Sequence, residues 1–133
     1  MLTKYDPNHP PDPQRWLRTD EEQRREIIKR YHRRIGFHAP SEAAHVLAHL
    51  VVENQAALGD ETPVAATLLR LMEEGVDRHE ALHAVGTVLM WHLNQLLRGE
   101  IPEDPDPSLV YFAELEKLTI AGWRAEHARR HDG

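Results

Sequence analysis

Four glycines, Gly36, Gly59, Gly75 and Gly99, each follow a stretch with apolar residues at helical spacing, and that punctuation constrains the fold more than any other feature of this chain. Glycine closes a helix in a left-handed backbone conformation that a Cβ would strain. Start signals alternate with these stops. Thr19-x-x-Glu22 has the form of a capping box opening a helix over about 20–35, with Ile27, Ile28, Tyr31 and Ile35 as its apolar set. Pro40-Ser41 begins a second helix running to about Leu58. Thr62-Pro63 supplies an N-cap and a proline at the first helical position, which predicts a third helix over 63–74. Asp77 caps a fourth, apolar as far as Leu97, and a fifth over about 108–130 follows the acidic, proline-rich loop 100–107. No segment shows strand periodicity. The expectation is an all-α domain over 19–133, a compact bundle of about five helices. The proline-rich stretch 1–18 reads as an extended arm anchored on the body by Tyr5 and Trp16.

At 133 residues the chain is one domain with room for a core. A formal net charge of −6 weighs against a nucleic-acid partner, which calls for a basic surface. No apolar run has the length of a membrane span, and MLTKYDPNHPPDP lacks the apolar region of a signal peptide, so a cytoplasmic protein is expected. With no cysteine, disulfides, thiolate metal sites and thiol catalysis are excluded. Histidine is the unusual entry, at ten residues, so any metal chemistry must rest on imidazoles and carboxylates.

The second helix is the most informative. From Ala43 to Glu53 its only polar side chains are His45, His49 and Glu53, at i, i+4 and i+8. At about 100° per residue they form a stripe roughly 80° wide. The plain interpretation makes this stripe the solvent edge. Against that, a solvent edge ordinarily carries Lys, Glu, Arg or Gln, whereas two histidines backed by a carboxylate match one wall of a metal site. The fourth helix offers a second wall. Its segment HEALH spells the HExxH pattern of zinc metalloproteases, with His79 and His83 one turn apart and Glu80 placed to polarise a metal-bound water as catalytic base. Yet Asp77-x-x-Glu80 is also a capping box, which gives Glu80 a role away from any metal.

Chance predicts roughly one His-xxx-His pair in such a chain. There are three: 45/49, 79/83 and 127/131, the last in a tail expected to be solvated. His92 points away from His83 as a packed or surface residue, and His9, His32 and His38 have no partner spacing. A second metal template is the repeated Glu-x-x-His of ferritin-like di-iron bundles, here Glu42/His45 and Glu80/His83. Both glutamates fall in first turns, where they can complement the helix dipole instead. The basic set Arg24, Arg25, Lys29, Arg30, Arg33 and Arg34 offers a rival, a patch for phosphate or an acidic partner. Pairing with Glu21, Glu22 and Glu26 on an ordinary solvated face explains it more simply.

The block from HVLAHLVVENQ to HEALHAVGTVL, with YDPNHPPDPQRW and YHRR before it, resembles a family of small bacterial proteins, domain-of-unknown-function family 1841. The resemblance covers residues 5–97 and maps the family's pattern onto His45, His49, Glu53, Gln55, His79 and His83. It departs where an acid would be expected one or two turns beyond the second histidine pair; this chain has Trp91. The resemblance implies a site and no particular reaction.

These features together lead to the expectation of a helical protein binding a divalent transition metal through His45, His49, Glu53, His79 and His83, with zinc first and iron, manganese or nickel behind it. If it is an enzyme, it would be a metal-dependent hydrolase acting on a small molecule or peptide, with Glu80 as base; a homodimer is left open. The competing expectation is a non-catalytic interaction module whose histidines are structural.

Overall fold

The computed structural model describes residues 2–36, 42–102 and 106–132, with side chains as far as Glu126. His38 and the expected helix start at Pro40-Ser41 lie outside the described residues, as do the side chains of His127 and His131. Every regular element among the described residues is helical. In chain order they are α1 Pro13–Arg18, α2 Glu21–Arg34, α3 Glu42–Ala57, a 3₁₀ turn Gly59–Glu61, α4 Val64–Glu73, α5 Arg78–Leu97, α6 Ser108–Lys117 and α7 Ile120–Asp132. The helix ends fall where the glycines stand, Gly75 at φ 105° and Gly99 at φ 70°. None of the helices described is long and apolar enough to cross a membrane.

Two elements were not expected. The arm is not wholly extended, because Asp12 accepts a hydrogen bond from the Arg15 N–H and Pro13 stands at the first helical position, which together start α1. This changes the role of Thr19. Its hydroxyl donates to the Arg15 carbonyl at the end of α1 and accepts from the Leu2 N–H, so α2 begins after Asp20 and the Thr19–Glu22 capping box does not form. The single helix expected over 108–130 is two. Leu118 is extended, Arg70 caps the end of α6 by donating to the Leu115 and Leu118 carbonyls, and the Thr119 hydroxyl accepts from the Gly122 N–H at the start of α7.

The apolar residues form two clusters. One comprises Tyr5, Trp16, Ile27, Ile28, Val46 and Leu50, from the arm, α1, α2 and α3. The other gathers Val52, Val64, Leu68, Leu71, Leu82, Val85, Leu89, Tyr111 and Leu115, from α3 to α6. Burying each large side chain contributes about 1.5–3 kcal/mol. Helix α3 serves both clusters. On its circumference the stripe His45-His49-Glu53 falls between Val52 on one side and Val46 and Leu50 on the other, so it faces inward. The solvent side of α3 carries Leu47, which is 39% exposed, whereas Glu53 is 1% exposed. The stripe is therefore not the solvent edge.

Candidate metal centre

Three helices bring five imidazoles together: His32 from α2, His45 and His49 from α3, and His79 and His83 from α5. Ring centroids of neighbours lie 4.4 Å apart for His79/His83, 4.6 Å for His32/His45, 4.8 Å for His45/His49 and 5.3 Å for both His49/His79 and His49/His83. All four histidines expected at the site are in it. His32 is the residue that same-helix spacing missed. It stands one turn after Ile28 on the apolar arc of α2, and a histidine on that arc was the available signal.

Hydrogen bonds assign the ring protons. The Ile28 carbonyl can only accept, so His32 donates from Nδ1 at 2.8 Å and presents the Nε2 lone pair. That atom lies 3.0 Å from Nε2 of His45. Two lone pairs would repel there, so in the metal-free protein His45 carries its proton on Nε2 and donates it to His32. For His49 the assignment comes through Tyr5. The Tyr5 hydroxyl donates to Glu53 Oε2 at 2.7 Å and so accepts from Nδ1–H of His49 at 3.1 Å. Glu53 is fixed in turn by a bidentate pair with Arg78, Nη2 to Oε1 at 2.8 Å and Nη1 to Oε2 at 2.9 Å, and Arg78 also donates to the Pro7 carbonyl. The chain Arg78–Glu53–Tyr5–His49 thus leaves His49 Nε2 as a lone pair aimed into the cluster. This is the outer support that metal-binding imidazoles typically have.

The Nε2 atoms of His49, His79 and His83 are buried without a protein hydrogen-bond partner. Each such atom costs about 1–3 kcal/mol if nothing meets it. All five rings are held toward the neutral form that ligates. Burial first, then the neighbouring imidazoles, pushes His45 and His83 down to about 4 and His49 further still. His32 and His79 are lowered as well, again mainly by burial. Two overlapping groups have ligand atoms within 4.8 Å of one another, His32/His49/His79 and His45/His49/His83. The donor set is all nitrogen and suits a divalent transition metal more than calcium or magnesium.

The carboxylates expected at the site go elsewhere. Both oxygens of Glu53 are taken by Arg78 and Tyr5, so it buttresses His49 through Tyr5 and is in neither of the three-histidine groups. Glu80 points outward to Arg124, accepting at 2.7 Å and 3.1 Å. Half of its capping box does form, with Asp77 accepting from the Glu80 N–H at 2.8 Å, but the Glu80 side chain makes its bond to Arg124. HEALH therefore contributes its histidines without its glutamate. For the ferritin-like template, Glu42 pairs with Arg33 at 3.5 Å, so neither glutamate of the two Glu-x-x-His elements enters the cluster. Trp91, two turns past His83, is 37% exposed. His92 stacks on Tyr111 as a packed residue. Half of the basic set on α2 faces carboxylates, Arg25, Arg30 and Arg33 against Glu21, Glu26 and Glu42, while Arg24 bonds Asn54 and lies over Trp16. Protein-family models, curated proteins and solved structures were all compared with the chain, and none matches it.

Proposed function

We propose that this protein binds a divalent transition metal, zinc in the first instance, through the imidazoles contributed by α2, α3 and α5. The observation that carries this reading is the convergence of five neutral rings with three buried Nε2 atoms that no protein group meets. A purely structural role explains these atoms poorly, because a packed core with three unpaired ring nitrogens loses stability that apolar residues would retain. Hydrolysis by a metal-activated water is within the chemistry of such a centre, with an imidazole rather than Glu80 or Glu53 as proton acceptor.

The test is metal content. Purified without a polyhistidine tag, the protein should retain near-stoichiometric zinc, iron, manganese or nickel by elemental analysis. Restoring the ion to metal-free protein at a hundredfold excess over Kd should raise its melting temperature by on the order of 10 °C. Metal-free protein that shows no melting shift with any of these ions would end the proposal. Glu80→Gln separates the HExxH reading from this one. It should cost less than about 1 kcal/mol, the range of an exposed ion pair, and leave metal content unchanged. Loss of metal in that variant would make Glu80 a ligand.

A further inference from the structure

Five rings could in principle hold two ions, and the two groups of three look at first like two sites. Both groups contain His49. A neutral imidazole has one lone pair, and for His49 the Tyr5 hydroxyl decides where it is. The hydroxyl proton goes to Glu53 at 2.7 Å, so the Nδ1–H of His49 goes to the Tyr5 oxygen, and only Nε2 is left to ligate. One nitrogen cannot complete both groups at once. Among the described residues, neither group includes a carboxylate to bridge two dications. Among the described residues Glu53 is the carboxylate nearest to His49 along this chain of hydrogen bonds, and Arg78 neutralises it.

We infer that the cluster holds one ion and that His49 is the pivot of two alternative three-imidazole positions, His32/His49/His79 and His45/His49/His83. This rests on the metal-binding reading and deepens it. Three protein nitrogens leave the ion one open position, the arrangement of zinc sites that take water or substrate as the fourth ligand. With three neutral donors the ion also keeps its full double charge, so the open position favours a small anion such as hydroxide.

The pattern of redundancy tests it. Titrating metal-free wild-type protein with cobalt(II) chloride, followed by its visible absorption, should end at one equivalent. An end point at two would overturn the inference while leaving metal binding intact, and no uptake of cobalt or zinc would overturn the metal-binding reading itself. His32→Ala breaks only the first triad and His83→Ala only the second, so each single variant should keep one equivalent with less than a tenfold loss of affinity. The double variant, and His49→Gln alone, should lose at least a hundredfold. Gln retains an N–H for the Tyr5 oxygen, and circular dichroism reports whether the variant is folded. If it is not, the singles and the double still decide. A loss from His32→Ala or His83→Ala alone that equals the loss in the double would mean one undivided site and refute the two-position arrangement.

Discussion

Arg78→Ala is expected to destabilise the fold by about 3–5 kcal/mol, the penalty for removing one member of a buried ion pair. Glu53 is 1% exposed and Arg78 7% exposed, and the pair is bidentate, at 2.8 Å and 2.9 Å. Without the guanidinium, the carboxylate keeps a single side-chain donor, the Tyr5 hydroxyl. Arg78 also ties down the arm through the Pro7 carbonyl, so the same change loosens the segment that brings Tyr5 to His49. Domains of this size are stable by about 5–15 kcal/mol, and the variant should therefore melt far below wild type or fail to fold. Replacing both partners, Arg78→Met with Glu53→Leu, should recover most of the stability, since no buried charge is stranded. It should not recover the centre. With Glu53 gone, Tyr5 no longer has an acceptor that fixes its proton, His49 loses its enforced tautomer, and metal affinity should fall about 10- to 100-fold. Chemical denaturation with and without zinc separates the two effects. A single variant within 1 kcal/mol of wild type would show that the pair is not buried as described.

That ion pair also marks where reading the sequence stops working. Patterns confined to one helix were legible: the glycine stops, the cap at Asp77, and the His-xxx-His pairs on α3 and α5; the expected cap at Thr62 moves to Pro63, which has no side-chain acceptor to cap with. Spacing along a helix places His45 beside His49 and His79 beside His83 because the helix itself enforces it. His32 reaches His45 from another helix, and Tyr5 reaches His49 and Glu53 across 44 and 48 residues. Nothing local encodes such contacts; they follow from how α2 and the arm pack on α3. The pattern makes Glu53 a candidate ligand because its place on the stripe is visible, whereas Arg78, 25 residues on, shows only as the residue before HEALH. Prolines misled in a different way. They suggest an extended arm, though Asp12 caps a helix with Pro13 at its first position, whereas at Thr62-Pro63 the proline itself is the N-cap.

Acid should unfold the metal-free protein over a window that the histidines define. In the unfolded chain they titrate near 6.5. In the fold His45 and His83 are lowered to about 4 and His49 lies below them, all chiefly by burial. Between those limits the unfolded state binds more protons than the folded one, so stability is intact at pH 7 and falls as the pH drops through about 6.5 toward 4. Each ring that stays neutral while its unfolded counterpart is protonated costs about 1.4 kcal/mol per pH unit. His49 and His83 together then remove at most about 3 kcal/mol per unit, less to the extent that water screens the half-buried His83, and His32, His45 and His79 add to it. Two units on this slope consume much of the stability of a small domain, which places the unfolding midpoint near about pH 5. A bound ion competes for the same lone pairs and favours the neutral rings, so the loaded protein should stay folded to lower pH and release its metal as it unfolds. Far-UV circular dichroism and metal release, followed in one pH titration, should therefore give coincident curves for loaded protein and an earlier, single transition for metal-free protein. A metal-free melting temperature that stays flat between pH 7 and 4 would mean the rings are protonated as easily in the fold as out of it, and the buried neutral cluster would have to be abandoned.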